Sequence, residues 1–270
     1  MRKIFLAFHV FIYFQVSSQS LIKYEMRNEG EGRNYMESIF VLKDYSISYL
    51  KSISVDDNVV NTGKQIDEMD LASQKSLKIS KDKTEVPKDC NLDFNNLRDY
   101  KNKVIYRFKP NYENFGKSKI DLALIKDTIN NMQWKLMEEF DTINSLRCQH
   151  AIINFRCQEY DAWMCMEIAI HTGPFIFSES PGLIVKLSRK DDGVTWNLKE
   201  FNPSVSFEEI RVDTLLAGIA DCNPRSFCDL KKGFEAFLKK LRAYVGDEDC
   251  LTCESKLTNI KIDECFDGCP

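Results

Sequence analysis

The chain has 270 residues, enough for one large domain or for a domain with a small satellite. Its 37 basic and 41 acidic residues give a formal net charge of −4, and a chain without excess positive charge is a poor candidate for a nucleic-acid-binding protein. Hydrophobic residues make up 43% of the sequence, which excludes an intrinsically disordered chain, and 11 Gly with 7 Pro exclude a collagen-like or Pro-rich one.

Residues 1–18 have the pattern of a secretory signal peptide. Arg2 and Lys3 form a short basic region, an apolar stretch follows, and Val16 and Ser18 provide small side chains before the cleavage site that we predict after Ser18. The apolar stretch is too short to span a bilayer, and no later stretch is long enough. No cysteine lies near this site, which argues against lipidation there. We therefore expect a secreted or periplasmic protein whose mature chain has no membrane span.

The interpretation of the 10 cysteines depends on the expected export of the chain. In an oxidising compartment an even number of cysteines predicts disulfides, although their spacing does not give the pairing. The four cysteines of the C-terminal tail also have the spacing of a zinc ribbon, but the compartment favours disulfides over a metal site. The disulfide candidates are Cys90, Cys148, Cys157, Cys165, Cys222, Cys228, Cys250, Cys253, Cys265 and Cys269.

The first elements of the chain after residue 18 are predicted strands. Residues 21–26 and 45–50 place apolar side chains at every second position, as a half-buried strand requires, and residues 29–32 between them are typical of a turn. Residues 56–93 contain no aromatic residue and are rich in Lys and polar residues, which predicts a long polar excursion on the surface.

The strand pattern is strongest between residues 103 and 202. Residues 163–170 are apolar at nearly every position, which predicts a strand buried on both faces. A short turn at 158–161 would bring Cys157 and Cys165 close together, so a disulfide between them is possible. The candidate strands are 104–108, 134–143, 151–157, 163–170, 183–187 and 194–201.

The period changes after residue 203. Apolar residues then recur at three- and four-residue intervals, which predicts an amphipathic helix over 227–245 that begins with a capping box of Ser226 and Asp229. The pattern of residues 206–220 fits either a helix or a strand, and we predict neither. The predicted fold class is mainly β (α+β), a curved antiparallel sheet with one amphipathic C-terminal helix packed on it and stabilised by disulfides. We divide the chain into a signal peptide (1–18), a β-rich domain (19–246) and a Cys-rich C-terminal tail (247–270).

Several short blocks between residues 134 and 201 carry a family resemblance: residues 145–151, 155–156, 160–163, 168, 173–175 and 180–184. In their order and spacing these blocks resemble the GLPGLI family, a group of exported bacterial proteins of unassigned function. The hexapeptide that names the family reads Glu-Ser-Pro-Gly-Leu-Ile at 179–184, so its leading Gly-Leu is replaced. The resemblance implies a fold and an envelope setting but no activity.

The hexapeptide region has a structural and a functional interpretation. Pro presets φ and Gly permits a positive φ, so Gly173-Pro174 and Pro181-Gly182 suit two sharp reversals that fix the register of the sheet. The alternative is the rim of a pocket or groove, with Trp163 and Phe175 as an aromatic wall. The candidate binding residues of this second interpretation are Trp163, Phe175, Phe177, Pro181 and Gly182.

The sequence contains no established catalytic motif. Cys148 and His150 would share a strand face like a nucleophile and its base, but a disulfide or a buried thiol is the simpler interpretation. The sulfur-rich run 164–166 and His171 offer soft ligands for Cu(I), yet strand alternation places Cys165 on the opposite face from its two neighbours.

We therefore expect a non-enzymatic exported protein of the cell envelope or the medium. It would be a binding or accessory protein that presents a β surface to a protein, a peptide or an apolar ligand, with no cofactor and no nucleic acid partner. The alternative is an exported metal-binding (Cu or Zn) or thiol-redox-active protein that uses the Cys and Met residues. An enzymatic function would need carboxylates alone, and nothing in the sequence singles out a pair.

Overall fold

The computed structural model describes most of the predicted β-rich domain. The predicted signal peptide, most of the polar excursion, the C-terminal tail and Cys157 lie outside the described residues. No helix in the described part of the chain is long and apolar enough to cross a membrane. The described residues are 19–28, 32–53, 84–85, 90, 92–110, 120–129, 132–156, 158–206 and 210–245.

One large, mostly antiparallel sheet dominates the described residues. Its strands follow the order β13-β7-β6-β5-β3-β2-β1-β12-β11-β10-β9-β8, and the short β4 pairs with β7 beside this path. Only the pairs of β7 with β13 and with β4 are parallel within the described part. A mainly β fold is thus confirmed. The strands are β1 (Ser20–Asn28), β2 (Arg33–Val41), β3 (Tyr45–Ile53), β4 (Thr84–Glu85), β5 (Asn96–Asp99), β6 (Val104–Pro110), β7 (Ile120–Thr128), β8 (Lys135–Ile143), β9 (Leu146–Phe155), β10 (Gln158–Cys165), β11 (Leu183–Arg189), β12 (Thr195–Asn202) and β13 (Arg225–Ser226).

Helices α1 (Val212–Asp221) and α2 (Phe227–Val245) cover the β3–β7 end of the sheet. Helix α2 has the predicted bounds, and its capping box is present because the Ser226 hydroxyl accepts the Asp229 N–H at 3.1 Å and donates to the Asp229 carboxylate at 2.7 Å. Helix α1 is a second helix in addition to the predicted one, and it lies where the sequence did not distinguish a helix from a strand.

The two largest apolar clusters of the described residues join the sheet to the segments that cover it. The larger lies on strands β1 and β9–β12, and its fully buried members include Tyr24 and Trp196. The smaller joins Ile47 and Leu97 of the sheet to Ile219 of α1. The helices therefore cover one half of the sheet, and the β1–β12–β10 half is covered by a loop that contains the predicted hexapeptide region.

Two strand predictions need correction. The run 163–170 is not one strand, because β10 ends at Cys165 and the chain then turns, and burial alternates along β10. The connection between β9 and β10 lies at 156–157 and not at 158–161. Strand β2 was not predicted, and it pairs with β1 over nine positions.

The structure contains a disulfide between Cys90 and Cys222, which ties residue 90 to the end of α1. Cys228 is disulfide-bonded as well. Cys148 and Cys165 carry free, buried thiols, so the possible disulfide between Cys157 and Cys165 is not formed. The other disulfide candidates lie outside the described residues.

Candidate functional site

The segment 172–182, here called the motif loop, folds into a closed turn between β10 and β11. A bridge between Thr172 and Ser178 closes it, and the Gly173 N–H donates to the Phe177 carbonyl oxygen at 3.0 Å. Phe175 has a φ of 60°, a left-handed conformation that is rare for a bulky residue. A turn is present at 174–177, where the Phe177 N–H donates to the Pro174 carbonyl oxygen at 3.2 Å, and the chain bends at 181–182. Neither Gly173 nor Gly182 has a positive φ, so Phe175 and not a glycine takes the left-handed conformation here.

Buried polar side chains of the sheet hold the motif loop in place. Arg98 on β5 donates to the carbonyl oxygen of Gly173 at 3.2 Å and also to that of Phe175. Asn96 donates to the same Phe175 oxygen at 3.0 Å, and the Glu37 carboxylate accepts the Phe175 N–H at 2.8 Å. Glu37, Asn96 and Arg98, here called the anchor residues, thereby satisfy the backbone groups of Phe175 and stabilise its unusual conformation.

Burial governs the charges of the anchor residues. Glu37 and Arg98 are 1% and 0% exposed. Burial raises the pKa of the Glu37 carboxyl, and the positive charge of Arg98 partly offsets this rise. Two ionisable groups in the core are costly unless they are paired and hydrogen-bonded, so their placement under the motif loop indicates that the loop position is strictly specified.

Trp163 and Phe175, the two members of the predicted aromatic wall, both pack against the larger apolar cluster, but they stack on different rings. Phe175 stacks on Trp196, with ring centroids 5.7 Å apart. Trp163 stacks on His150, with ring centroids 5.0 Å apart. Phe177 is 0% exposed and packs edge-on against Tyr160, so it acts as a core residue. Whether Trp163 or Phe175 contacts a partner stays a prediction.

Pro181 and Gly182 differ in their surroundings. Gly182 is buried against β10, where an added Cβ would lie 2.4 Å from the Cys165 carbonyl oxygen. Close backbone packing therefore explains the glycine. Pro181 is half-buried and lines a cavity beside the motif loop. Of the candidate binding residues, Pro181 is the one in the wall of this cavity.

This cavity, here called the loop cavity, has a volume of about 700 Å³. Cavities of that size accommodate small organic ligands. It lies where the motif loop meets the β2–β3 and β5–β6 turns. Its lining residues are Ser20, Val41, Leu42, Lys43, Tyr100, Lys103, Ile129, Ala169, Ile170, His171, Thr172, Glu179, Ser180 and Pro181.

The loop cavity combines an apolar lining with cationic groups. Val41, Leu42 and Ile170 contribute apolar surface. Lys43 is exposed and makes no ion pair with any described residue, whereas the Lys103 ammonium lies 3.4 Å from the Glu179 carboxylate. An exposed ion pair of this kind contributes little and can exchange partners. The cavity can therefore accept an apolar body together with a negative group.

The hydrogen bonds of the motif loop shape the floor of this cavity. His171 donates through Nδ1 to the Ser180 carbonyl oxygen at 2.8 Å, and the Ser180 hydroxyl donates to the Ile170 carbonyl oxygen at 3.3 Å. The Tyr100 hydroxyl lies 2.7 Å from the Ser46 hydroxyl, which also receives a hydrogen bond from Arg98. The cavity floor is therefore tied to the anchor residues.

A second cleft, of about 660 Å³, lies beside β1 and β12. Its charged groups are already paired: Glu25 with Lys199 at 2.6 Å and with Arg27 at 3.0 Å, and Glu200 with Lys23, outside the cleft lining, at 2.8 Å. A ligand there would have to displace existing ion pairs. The loop cavity is therefore the better candidate site.

The structure does not support the interpretation of Cys148 and His150 as a nucleophile and its base. Both ring nitrogens of His150 face carboxylates, Nδ1 that of Glu139 at 3.0 Å and Nε2 that of Asp161. Burial raises the pKa of Cys148 to about 11, and the neighbouring Cys165 thiol adds to this rise. A reactive cysteine needs a lowered pKa and solvent access, and Cys148 has neither.

The proposed soft-metal ligands are also dispersed. Met164 is fully buried, whereas Met166 is 37% exposed beyond the end of β10. Within the described residues, no group of three or more His, Cys, Asp or Glu side chains is arranged to hold a metal ion.

Comparison with known proteins gives no family. No family model matches the chain, and no curated protein matches it. Among solved structures the chain is similar to PNGF-II in its P21 form, with 12% identity, a TM-score of 0.40, and coverage of 72% of this chain and 30% of that one. The C2 form gives 12% identity, a TM-score of 0.41, and coverage of 76% and 33%. The chain thus spans about a third of the length of these structures, and the resemblance to the GLPGLI family stays a prediction.

Proposed function

We propose that this protein is a non-enzymatic binding protein, exported to the cell envelope or secreted, whose loop cavity takes an apolar ligand that carries one anionic group. The observation that supports this proposal is the composition of the cavity wall. Apolar side chains and two lysines border one space of about 700 Å³ next to the motif loop. Burial of the apolar body supplies the affinity, and the lysines orient the anionic end.

The position of the cavity gives a reason for the polar core beneath it. The anchor residues fix the motif loop, and the motif loop contributes Glu179, Ser180 and Pro181 to the cavity wall. A preformed wall lowers the entropic cost of binding because little needs to be ordered when the ligand enters. On this proposal the motif loop has a structural and a binding role together.

Isothermal titration calorimetry with dodecanoate and with dodecyltrimethylammonium tests the proposal. The two probes share an apolar chain and differ in the sign of their charge. We expect saturable binding of dodecanoate to the full chain and binding at least tenfold weaker for the cation, a difference that corresponds to about 1.4 kcal/mol. Equal affinity for the two probes, or no saturable binding of dodecanoate, contradicts the proposal.

Variants locate the binding. Lys43→Met with Lys103→Met should weaken dodecanoate binding about tenfold, because each exposed charge contributes up to about 1 kcal/mol. The matched control is Lys135→Met with Lys186→Met, which removes the same charge from exposed positions on β8 and β11. Ala169→Trp places a large side chain at the exposed lip of the cavity and should abolish binding. If Ala169→Trp binds like the wild type, the ligand lies elsewhere.

A further inference from the structure

Cys148 on β9 and Cys165 on β10 lie opposite each other in the sheet. The pairing of these antiparallel strands runs up to Gln149 opposite Met164. The next step of the same register places Cys148 opposite Cys165. Directly opposed residues have Cβ atoms about 4.5–5.5 Å apart, and a disulfide needs about 3.5–4.5 Å, so a small approach of the strands lets the two sulfurs bond.

Both thiols lie in the larger apolar cluster, with exposures of 0% for Cys148 and 1% for Cys165. Burial raises the pKa of each thiol, that of Cys148 to about 11. Only about one Cys148 in a thousand is then a thiolate at pH 8. Since the thiolate is the reactive form, the folded dithiol is protected from oxidants, and oxidation requires an open β9–β10 pair.

We propose that Cys148 and Cys165 close to a buried disulfide across β9 and β10 when the protein folds in an oxidising medium. The chain already holds the Cys90–Cys222 disulfide, and Cys228 is disulfide-bonded too, so the same folding conditions supply an oxidant. The oxidant is a small-molecule or protein disulfide. This assignment is independent of the ligand proposed for the loop cavity.

The reaction is thiol–disulfide exchange in two steps. The sulfur of one cysteine, as a thiolate, bonds to one sulfur of the oxidant, the oxidant's S–S bond breaks, and one thiol leaves after taking up a proton. The second cysteine thiolate then attacks the mixed disulfide and releases the second thiol. The two cysteines together lose two electrons and two protons, and the oxidant's disulfide is reduced to two thiols.

The bond would act where the motif loop packs on the end of β10. Cys165 is the last residue of β10, and its carbonyl oxygen is the group against which Gly182 packs. β9 has β8 as its other neighbour, and β8 ends the strand order. A cross-link between β9 and β10 therefore secures the outer part of the sheet and the end of β10 on which the motif loop packs at Gly182.

Peptide mapping of the full chain, refolded with reduced and oxidised glutathione, tests the assignment. Free thiols are alkylated in denaturant, and the unreduced protein is digested with trypsin and a glutamate-specific protease. Cleavage after Glu159 separates Cys157 from Cys165, so a link through either residue is distinguished. We expect peptide 148–156 joined to peptide 160–167, two hydrogen atoms lighter than the two free peptides together.

The Cys90–Cys222 link serves as the internal control, and refolding conditions are chosen in which it is recovered. In that material, alkylated Cys148 and Cys165, or a link from either residue to a different cysteine, overturns the assignment. A second measurement follows the Cys148 and Cys165 thiols in folded protein in which the bond between them has not yet formed. The disulfide reagent DTNB should react with these two thiols only after denaturant is added. Rapid reaction of both in the folded protein would contradict the burial on which the assignment rests.

Discussion

Arg98 donates a hydrogen bond of 3.2 Å to the carbonyl oxygen of Gly173, although 75 residues separate them in the sequence. Both residues are buried. Through this contact a charged side chain in the sheet fixes the loop that forms part of the cavity wall. Glu37 holds the next part of the same loop by accepting the Phe175 N–H. The geometry of the motif loop therefore depends on polar groups inside the core.

Replacement of Arg98 by methionine should destabilise the protein by about 3–5 kcal/mol, because it removes the hydrogen bonds to two buried backbone carbonyls and the positive charge that acts on the buried Glu37. Guanidinium denaturation measures the loss. The matched control is Arg147→Met, an exposed residue near the start of β9, where loss of its contact with the exposed Phe140 ring should cost no more than about 1 kcal/mol. Similar losses for the two variants would show that Arg98 is not an anchor.

Replacement of Gly182 by alanine should destabilise the protein more than replacement of Gly173 by alanine. The added Cβ at position 182 meets the backbone oxygen of Cys165 at 2.4 Å, whereas at position 173 it meets the end of the Ile184 side chain at 2.5 Å, which can rotate away. Overpacking of a core costs about 1–3 kcal/mol, and the backbone cannot relieve it easily. Thermal unfolding of the two variants gives the order, and the reverse order would contradict this packing.

Asp127 should be essential for the attachment of α2. Its carboxylate pairs with Arg107 at 2.9 Å and with Arg156, and the Phe227 ring covers both guanidinium groups. Asp127→Asn removes the negative charge that pairs with both buried arginines, so we expect a loss of about 3–5 kcal/mol. The control is the exposed Asp141→Asn.

Hydrogen exchange locates the effect of this substitution. Amides of α2 should lose protection in Asp127→Asn and keep it in Asp141→Asn, because Phe227 begins α2 and packs on the two arginines. Unchanged protection of α2 in Asp127→Asn would show that the ion pairs do not hold the helix.

Stability should depend on pH through Glu37. Because burial raises its pKa in the folded protein, the native state binds this proton more tightly than the unfolded chain, whose value is near 4.5. The contribution of this group is therefore complete below pH 4.5 and is lost as the pH rises through the raised pKa. The free energy of unfolding of the wild type, minus that of Glu37→Gln, should decline over this range in urea titrations. A difference that stays constant with pH would be inconsistent with a buried carboxyl at this position.

Local signals made part of the fold predictable. Helix α2 combines an apolar period with a capping box, so both the helix and its start at Phe227 follow from a few neighbouring residues. The strand predictions that held have regular alternation, as in β1. Strand β2 was not predicted because Glu37 occupies a core-facing position, where the alternating pattern requires an apolar residue. Strand β5, with the sequence Asn-Leu-Arg-Asp, is buried at all four positions although three are polar.

The candidate site was harder to predict from the sequence than the fold. The hexapeptide indicated the motif loop, but its anchors are distant in sequence: Glu37 lies 138 residues from Phe175. The loop cavity is assembled from turns that no local pattern connects, and its lysines at 43 and 103 look like ordinary surface residues. Polar residues in short, irregular strands are the one signal that could have pointed to Arg98 and Asn96, since a buried charge needs a specific partner.

A crystal structure of the protein with 12-bromododecanoate tests most directly whether the loop cavity binds an anionic apolar ligand. The bromine marks the apolar end by its anomalous signal. We predict this signal inside the cavity, beside Leu42, Ile129 and Ile170, with the carboxylate at Lys43. Bromine found only in the cleft beside β1 and β12, or on the exposed Leu136 and Phe140 of β8, with the loop cavity free of ligand, would contradict the account.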